Sequence, residues 1–137
     1  MVAVVRFSPP QIAPPVGAFS HLAIHPAGRV AYLSGQIGAD TTGRVPLSIA
    51  EQTSLCFANI EALLAELGAG PDALVKLTTF LVATDDDTFA SFAAERREVF
   101  SRWFPNGHFP SHSAAIVTAL ARPDLLVEIE GIAYLGP

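Results

Sequence analysis

Cys56 is the only cysteine in the sequence, so neither an intrachain disulfide nor a cysteine-based zinc cage can form. Charge is sparse as well: charged residues make up 15% of the chain, and thirteen acidic residues outnumber eight basic ones. The resulting net charge of -5 lacks the basic footprint that nucleic-acid binding leaves, so no nucleic-acid partner is expected. No basic amphipathic helix is available to lie on a membrane surface. No apolar run approaches the roughly 18 residues needed to cross a bilayer. Residues Met1–Phe7 are too short for a secretory h-region, and Arg6 lies on the wrong side of it. These absences lead to the expectation of a compact, acidic, cytoplasmic protein without a membrane partner.

What the chain does have is apolar surface. Half of its 137 residues are hydrophobic and its mean hydropathy is +0.41, which excludes a disordered chain. The length suits one domain spanning residues 1–137. A domain of this size buries only about two-thirds of its unfolded-chain surface, which leaves apolar area for a partner subunit.

Periodicity and turn chemistry predict the order β-β-β-α-β-α-β-β. Residues 2–7 are β-branched and aromatic, as a first strand requires. Residues 8–16 hold four of the eleven prolines and read as an extended loop. Residues 19–24 and 29–37 form a predicted hairpin about His25–Gly28. Ser48 and Glu51 have capping-box spacing. Ile49, Thr53, Cys56, Ile60, Leu63, Leu64 and Leu67 follow at helical spacing, and Gly68 stands where a helix-ending glycine belongs. A strand over 73–82, apolar on both sides, is expected to be covered on both faces. A second helix carries Phe89, Phe92, Ala93, Arg96, Val99, Phe100 and Trp103 as its stripe, with Asp85–Asp87 at its N-terminus complementing the dipole. Strands near 112–120 and 125–135 close the chain around a turn at 121–124. The expected fold is α+β in two layers: a mixed sheet with both helices on one face, right-handed crossovers, and an uncovered second face suited to oligomerisation.

The last strand carries the most informative side chains. Period-2 geometry puts Leu126, Glu128, Glu130, Ile132 and Tyr134 on one face, opposite Leu125, Val127, Ile129, Ala133 and Leu135. Two carboxylates in so apolar a strand either sit on a solvated face, pair with Arg122 or Lys76, or occupy a pocket where one of them accepts a proton. His108 and His112 have a spacing found in halves of some zinc sites, but no further ligands accompany them, and no metal is expected. Asp85–Asp87 likewise lacks neighbouring ligands. Ser34 and Gly35 end a strand, as a bulge or as a place where a ligand approaches backbone closely. Cys56, within an apolar helical stripe, reads as a packing residue. No nucleophile elbow, phosphate-binding loop or dinucleotide fingerprint is present, and no cofactor is expected.

Six stretches, in order, resemble the Rid family (YjgF/YER/UK, RidA-like): Pro15–His21, Tyr32–Ile37, Gln52–Asn59, Asp72–Leu81, Phe109–Ser113 and Arg122–Ala133. The resemblance implies a chorismate-mutase-like fold and a homotrimer with ligand pockets between subunits. It also implies hydrolysis of reactive enamines or imines, carboxylate-bearing small molecules, to a keto acid and ammonia. On that basis Glu128 is the catalytic carboxylate, and Ser34 and Gly35 belong to the substrate pocket. Four positions depart from the pattern. His112 replaces the arginine that grips the substrate carboxylate, Phe19 replaces a tyrosine, and Ala114 replaces a cysteine. The asparagine often found in the second helix falls at Ala93.

A bidentate arginine–carboxylate contact contributes about 1.5–3 kcal/mol, so its loss costs about 10- to 100-fold in rate. His112 is therefore expected to orient or protonate a different substrate together with Glu128, with Phe19 and Ala114 lining the pocket. The alternatives are a non-catalytic trimer that binds a small metabolite and, less in keeping with the acidic balance, a ribonuclease.

Overall fold

The computed structural model describes residues 5–15, 19–25 and 27–137. Met1, Val2–Val4 of the expected first strand, Val16–Ala18 of the Pro15–His21 stretch, and Pro26 of the hairpin turn lie outside the described residues. Six strands form one mixed sheet: β1 (Val5–Phe7), β2 (Leu22–His25), β3 (Val30–Ile37), β4 (Leu74–Val82), β5 (Ser111–Val117) and β6 (Val127–Tyr134). Helices α1 (Ile49–Glu66) and α2 (Thr88–Trp103) pack against each other, α1 over β3 and β6 and α2 against β4. The element order and the two-layer α+β architecture agree with the sequence reading. A 3₁₀ turn at Pro71–Ala73 takes up the start of the strand expected from residue 73.

The sheet order is β1-β2-β3-β6-β4-β5. The C-terminal strand thus inserts at the centre, antiparallel to β3 on one side and to β4 on the other. β4 and β5 are parallel neighbours joined through α2, and β5 is an edge strand. On β6, Val127, Ile129 and Ala133 are fully buried beneath the helices, while Glu128 and Ile132 are half-buried and Glu130 and Tyr134 exposed. Strand alternation therefore gives the two faces that the sequence pattern implies.

Local chemistry fixes the helix ends. Ser48 Oγ accepts from Glu51 N–H at 3.1 Å. The Glu51 carboxylate accepts from the Ser48 hydroxyl, rather than from a backbone N–H as a full capping box has it. At the other end Gly68, with φ +68°, sits in the left-handed region, and Ala69 N–H reaches Leu64 O at 2.9 Å in a Schellman closure. At the N-terminus of α2, Asp85–Asp87 are exposed, as expected, and Asp87 makes no side-chain cap. The buried Thr88 hydroxyl accepts from Thr84 N–H and Asp85 N–H and donates to Asp85 O.

Two further expectations are corrected. β4 is not covered on both faces. A bulge at Val75 shifts its phase so that Leu74, Leu77, Thr79 and Leu81 face the helices. Lys76, Thr78, Phe80 and Val82 stay half-exposed on the open face of the chain. Phe89, assigned to the buried stripe of α2, is 49% exposed, because the stripe runs through Phe92, Val99 and Phe100. Among the described residues, no helix is long and apolar enough to cross a membrane.

Gln52 on α1 was not in the expected apolar stripe, yet it is fully buried. Its Nε2 donates to Pro46 O at 2.8 Å and Asp124 O at 2.9 Å, and its Oε1 accepts from Leu126 N–H at 2.8 Å. One amide thus ties the helix start to the entry of β6. Gln52→Leu leaves an N–H and two carbonyls unpaired, and is expected to lower unfolding stability by on the order of 3 kcal/mol in urea titration.

Candidate functional site

The β3–β6 ladder breaks between Leu33 and Gln36: three steps along β3 match two along β6. Ser34 and Gly35 therefore form a β-bulge, a device that re-aims the chain beside functional groups. The bulge carries Gly35 against Glu128. A β-carbon on Gly35 would lie 2.7 Å from Glu128 Cδ and overlap the carboxylate oxygen. Glycine is required here by close approach, with no unusual φ involved.

Around these residues a cavity of about 280 Å³ opens, walled by Phe19, His21, Gly35, Gln36, Arg122 and Glu128 among others. His21 and Gln36 are buried. Gln36 Nε2 donates to His21 Nδ1 at 3.1 Å, and His21 Nε2–H donates to Ala13 O at 2.9 Å. This pairing makes Nε2 the donor and Nδ1 the acceptor of the ring. Phe19 stacks edge-on against the His21 ring at 5.8 Å.

Glu128 has no cation partner among the described residues. Arg122, a candidate for it, forms a bidentate pair with Asp124. Lys76, the other candidate, donates to Ser113 Oγ at 2.7 Å. Burial, and after it the neighbouring Glu130 charge, raise the Glu128 carboxyl above its usual 4.5. A carboxylate with such a shift beside open space is a stronger base than an ordinary surface glutamate. Cys56, on the helix side of β6, is fully buried and packs near Val127 O. Burial first, and the Glu128 charge second, push its thiol well up, which fits a packing residue rather than a nucleophile.

The structure separates the other sequence-derived site residues from this cavity. His112 lies opposite Leu77 in the parallel β4–β5 register, on the helix-facing side. Glu128 lies opposite Phe80, on the open side. Within one copy of the chain the two side chains therefore occupy opposite faces of the sheet. The cavities they line are also different. His112 Nε2 bonds the buried Thr79 Oγ1 at 2.8 Å, and its ring meets Phe92 edge-on at 6.2 Å. Burial, with Arg96 and Lys76 adding positive charge, lowers its pKa to about 4. It is therefore a neutral imidazole near pH 7. Ser34 Oγ donates to Ser20 O at 2.5 Å and serves the bulge rather than the cavity wall. Ala114 is exposed on the edge strand β5, away from Glu128. Of the sequence-derived set, Phe19, Gly35 and Glu128 come together.

Sequence reasoning missed three participants. His21 and Gln36 fell inside family-like stretches without a role of their own. Arg96 was counted in the helix stripe although its guanidinium reaches His112 Nδ1 at 3.5 Å. Burial first and Arg97 second lower the pKa of Arg96.

Residues 10–135 match the family model described as Endoribonuclease L-PSP. The chain belongs to the Rid (YjgF/YER/UK) family. It is 36% identical over 140 residues to the RutC family protein UK114 of Drosophila melanogaster, covering 99% of this chain and 94% of that one. The crystal structure of the YjgF gene product of E. coli superposes with a TM-score of 0.82 at 27% identity, over 96% of this chain and 98% of that one. RidA from an Antarctic Psychrobacter superposes at 0.79 with 28% identity, over 96% and 99%. The Rid fold is thus present over almost the whole chain.

The depressed His112 pKa has a consequence for stability. The folded form binds fewer protons than the unfolded chain between the ordinary value of 6.5 and about 4, so stability rises with pH across that window. Stability present above pH 6.5 is lost as pH falls towards 4. In thermal melts from pH 7 to 4, His112→Gln is expected to remove part of this acid-induced fall in Tm.

Proposed function

We propose that this chain hydrolyses a small carboxylate-bearing imine or enamine to a carbonyl compound and ammonia. The observation that carries this reading is the unpaired, half-buried Glu128 carboxylate lying on the α-carbon of Gly35 at a cavity wall. Glu128 takes a proton from a water molecule while the water oxygen adds to the C=N carbon, giving a carbinolamine. The proton passes from Glu128 to the nitrogen; the carboxylate then carries the hydroxyl proton to the same nitrogen, the C–N bond breaks as C=O forms, and ammonia leaves. An enamine enters as its imine tautomer, after a proton moves from nitrogen to carbon. Burial, and after it the Glu130 charge, raise the Glu128 carboxyl above its ordinary value, which makes it a better proton acceptor than a surface carboxylate. Gly35 lets the substrate approach backbone, and Phe19 supplies an apolar wall.

The same reading makes the protein a homotrimer. His112 and Ala114 reach a Glu128 cavity only if a second copy contributes them, and β5, which carries both, is the open edge of the sheet. Exposed Tyr32, Ile116 and Tyr134 provide apolar area for such a contact. In this arrangement His112, neutral near pH 7 and held by Thr79 and Arg96, gives the substrate an uncharged wall rather than a charge. Light scattering on the purified protein is expected to give three times the 14.4 kDa mass of the chain.

A second reading, a trimer that binds a small metabolite without turnover, is favoured by the missing arginine on β5 and the missing hydroxyl at Phe19. An RNA substrate fits less well, because a net charge of -5 repels phosphates and the free charge at this cavity is a carboxylate. The deciding assay couples the protein to an amino-acid oxidase that generates imines and follows ammonia release. Acceleration by the native protein is expected, with Glu128→Gln lowering kcat/KM by about 100-fold or more. No acceleration by an assembled oligomer, over several imines, would leave the binding reading in its place.

A further inference from the structure

A second cavity, of about 640 Å³, lies between α2 and β5 on the helix side of the sheet, and the reaction above does not explain its lining. Phe100, Phe104 and Phe109 supply aromatic wall, and Arg96, Arg97 and His112 supply the polar groups. The Arg96 guanidinium stands over the Phe92 ring, 5.2 Å from its centroid. It is held there by a donor contact to His112 Nδ1 at 3.5 Å. A guanidinium has no acceptor, so Nδ1 is the unprotonated nitrogen and Nε2–H donates to Thr79 Oγ1 at 2.8 Å. His112 is thus locked between a buried threonine and an arginine, as an acceptor.

The charge of this arginine is not compensated. Among the described residues the one ion pair is Arg122–Asp124, so no carboxylate neutralises Arg96 or Arg97. Two like charges at the wall of a partly enclosed aromatic space favour an anion. A guanidinium fork matches the geometry of a carboxylate, and the aromatic wall suits a flat apolar body. The positive group that β5 lacks is therefore supplied next to the same position by α2.

We propose that this cavity binds a small organic carboxylate bearing an aromatic ring, with Arg96 as the anion ligand and His112 as the acceptor that aims its guanidinium. The proposal rests on the deaminase reading only in naming aromatic carboxylates as the substrate class. Its binding claim stands apart from turnover.

Titration calorimetry with phenylacetate, phenylacetamide and acetate tests it on the intact protein. Phenylacetate is expected to bind, with the uncharged amide and the ringless acetate each about ten-fold weaker or more. Arg96→Gln is expected to weaken phenylacetate by about 10- to 100-fold, and Arg96→Lys to recover part of the loss. Equal binding by native and Arg96→Gln protein, or no binding by the native protein, overturns the proposal. Should Arg96→Gln fail to fold, the His112 ring signals of the native protein decide: shifts on adding phenylacetate support the site, and their absence overturns it. Binding without turnover of an aromatic imine rejects the deaminase and keeps the site. Phenylacetate binding and turnover both unchanged in Arg96→Gln reject the site and keep the deaminase.

Discussion

The structure depends on the pairing of β6 between β3 and β4. This last strand joins the N-terminal antiparallel strands to the β4–α2–β5 unit, so the sheet is complete only when the C-terminus has inserted. Its two faces then have no freedom. Val127, Ile129 and Ala133 fill the core under α1, and rotating the strand by one residue would bury Glu128 and Glu130 in their place, at a large cost for unpaired carboxylates. Core packing thereby sets the direction in which Glu128 points.

Given that direction, the bulge in β3 determines what Glu128 meets. An uninterrupted ladder would set a side chain against the carboxylate. The extra residue instead presents Gly35 and leaves room beside it. The neighbouring polar groups are consumed by structure: Ser34 by Ser20, Gln36 by His21, Gln52 by the loop leading into β6. Arg122 is engaged by Asp124. Glu128 is left without a partner, and the Gly35–Glu128 contact is the feature of this Rid chain that the proposed water-activating role uses.

The two cavities have separate linings, one around Glu128 and one around His112. Beside His112 on β5 stands a guanidinium from α2, held by a cation–π contact and by the histidine itself. Such a histidine must stay neutral to accept, and burial beside Arg96 keeps it so. Whether one site or two results depends on how copies of the chain meet, since a β5 edge from another copy is needed to bring His112 to Glu128.

The sequence by itself determined the element order, both helices, the two faces of β6 and the family, because these follow from period, capping residues and turn chemistry, which are local. It also identified Gly35 and Glu128, whose types are conspicuous in their strands. It misjudged the cover of β4, because a single bulged residue, Val75, inverts a period-2 pattern without leaving a mark in composition. Only the tertiary structure decided that Gln52 is a buried clamp, that His21 and Gln36 pair, and that His112 faces Arg96 and Thr79 rather than Glu128. Those outcomes depend on register between strands distant in sequence and on which side of the sheet each helix covers. No property of a residue and its near neighbours encodes them.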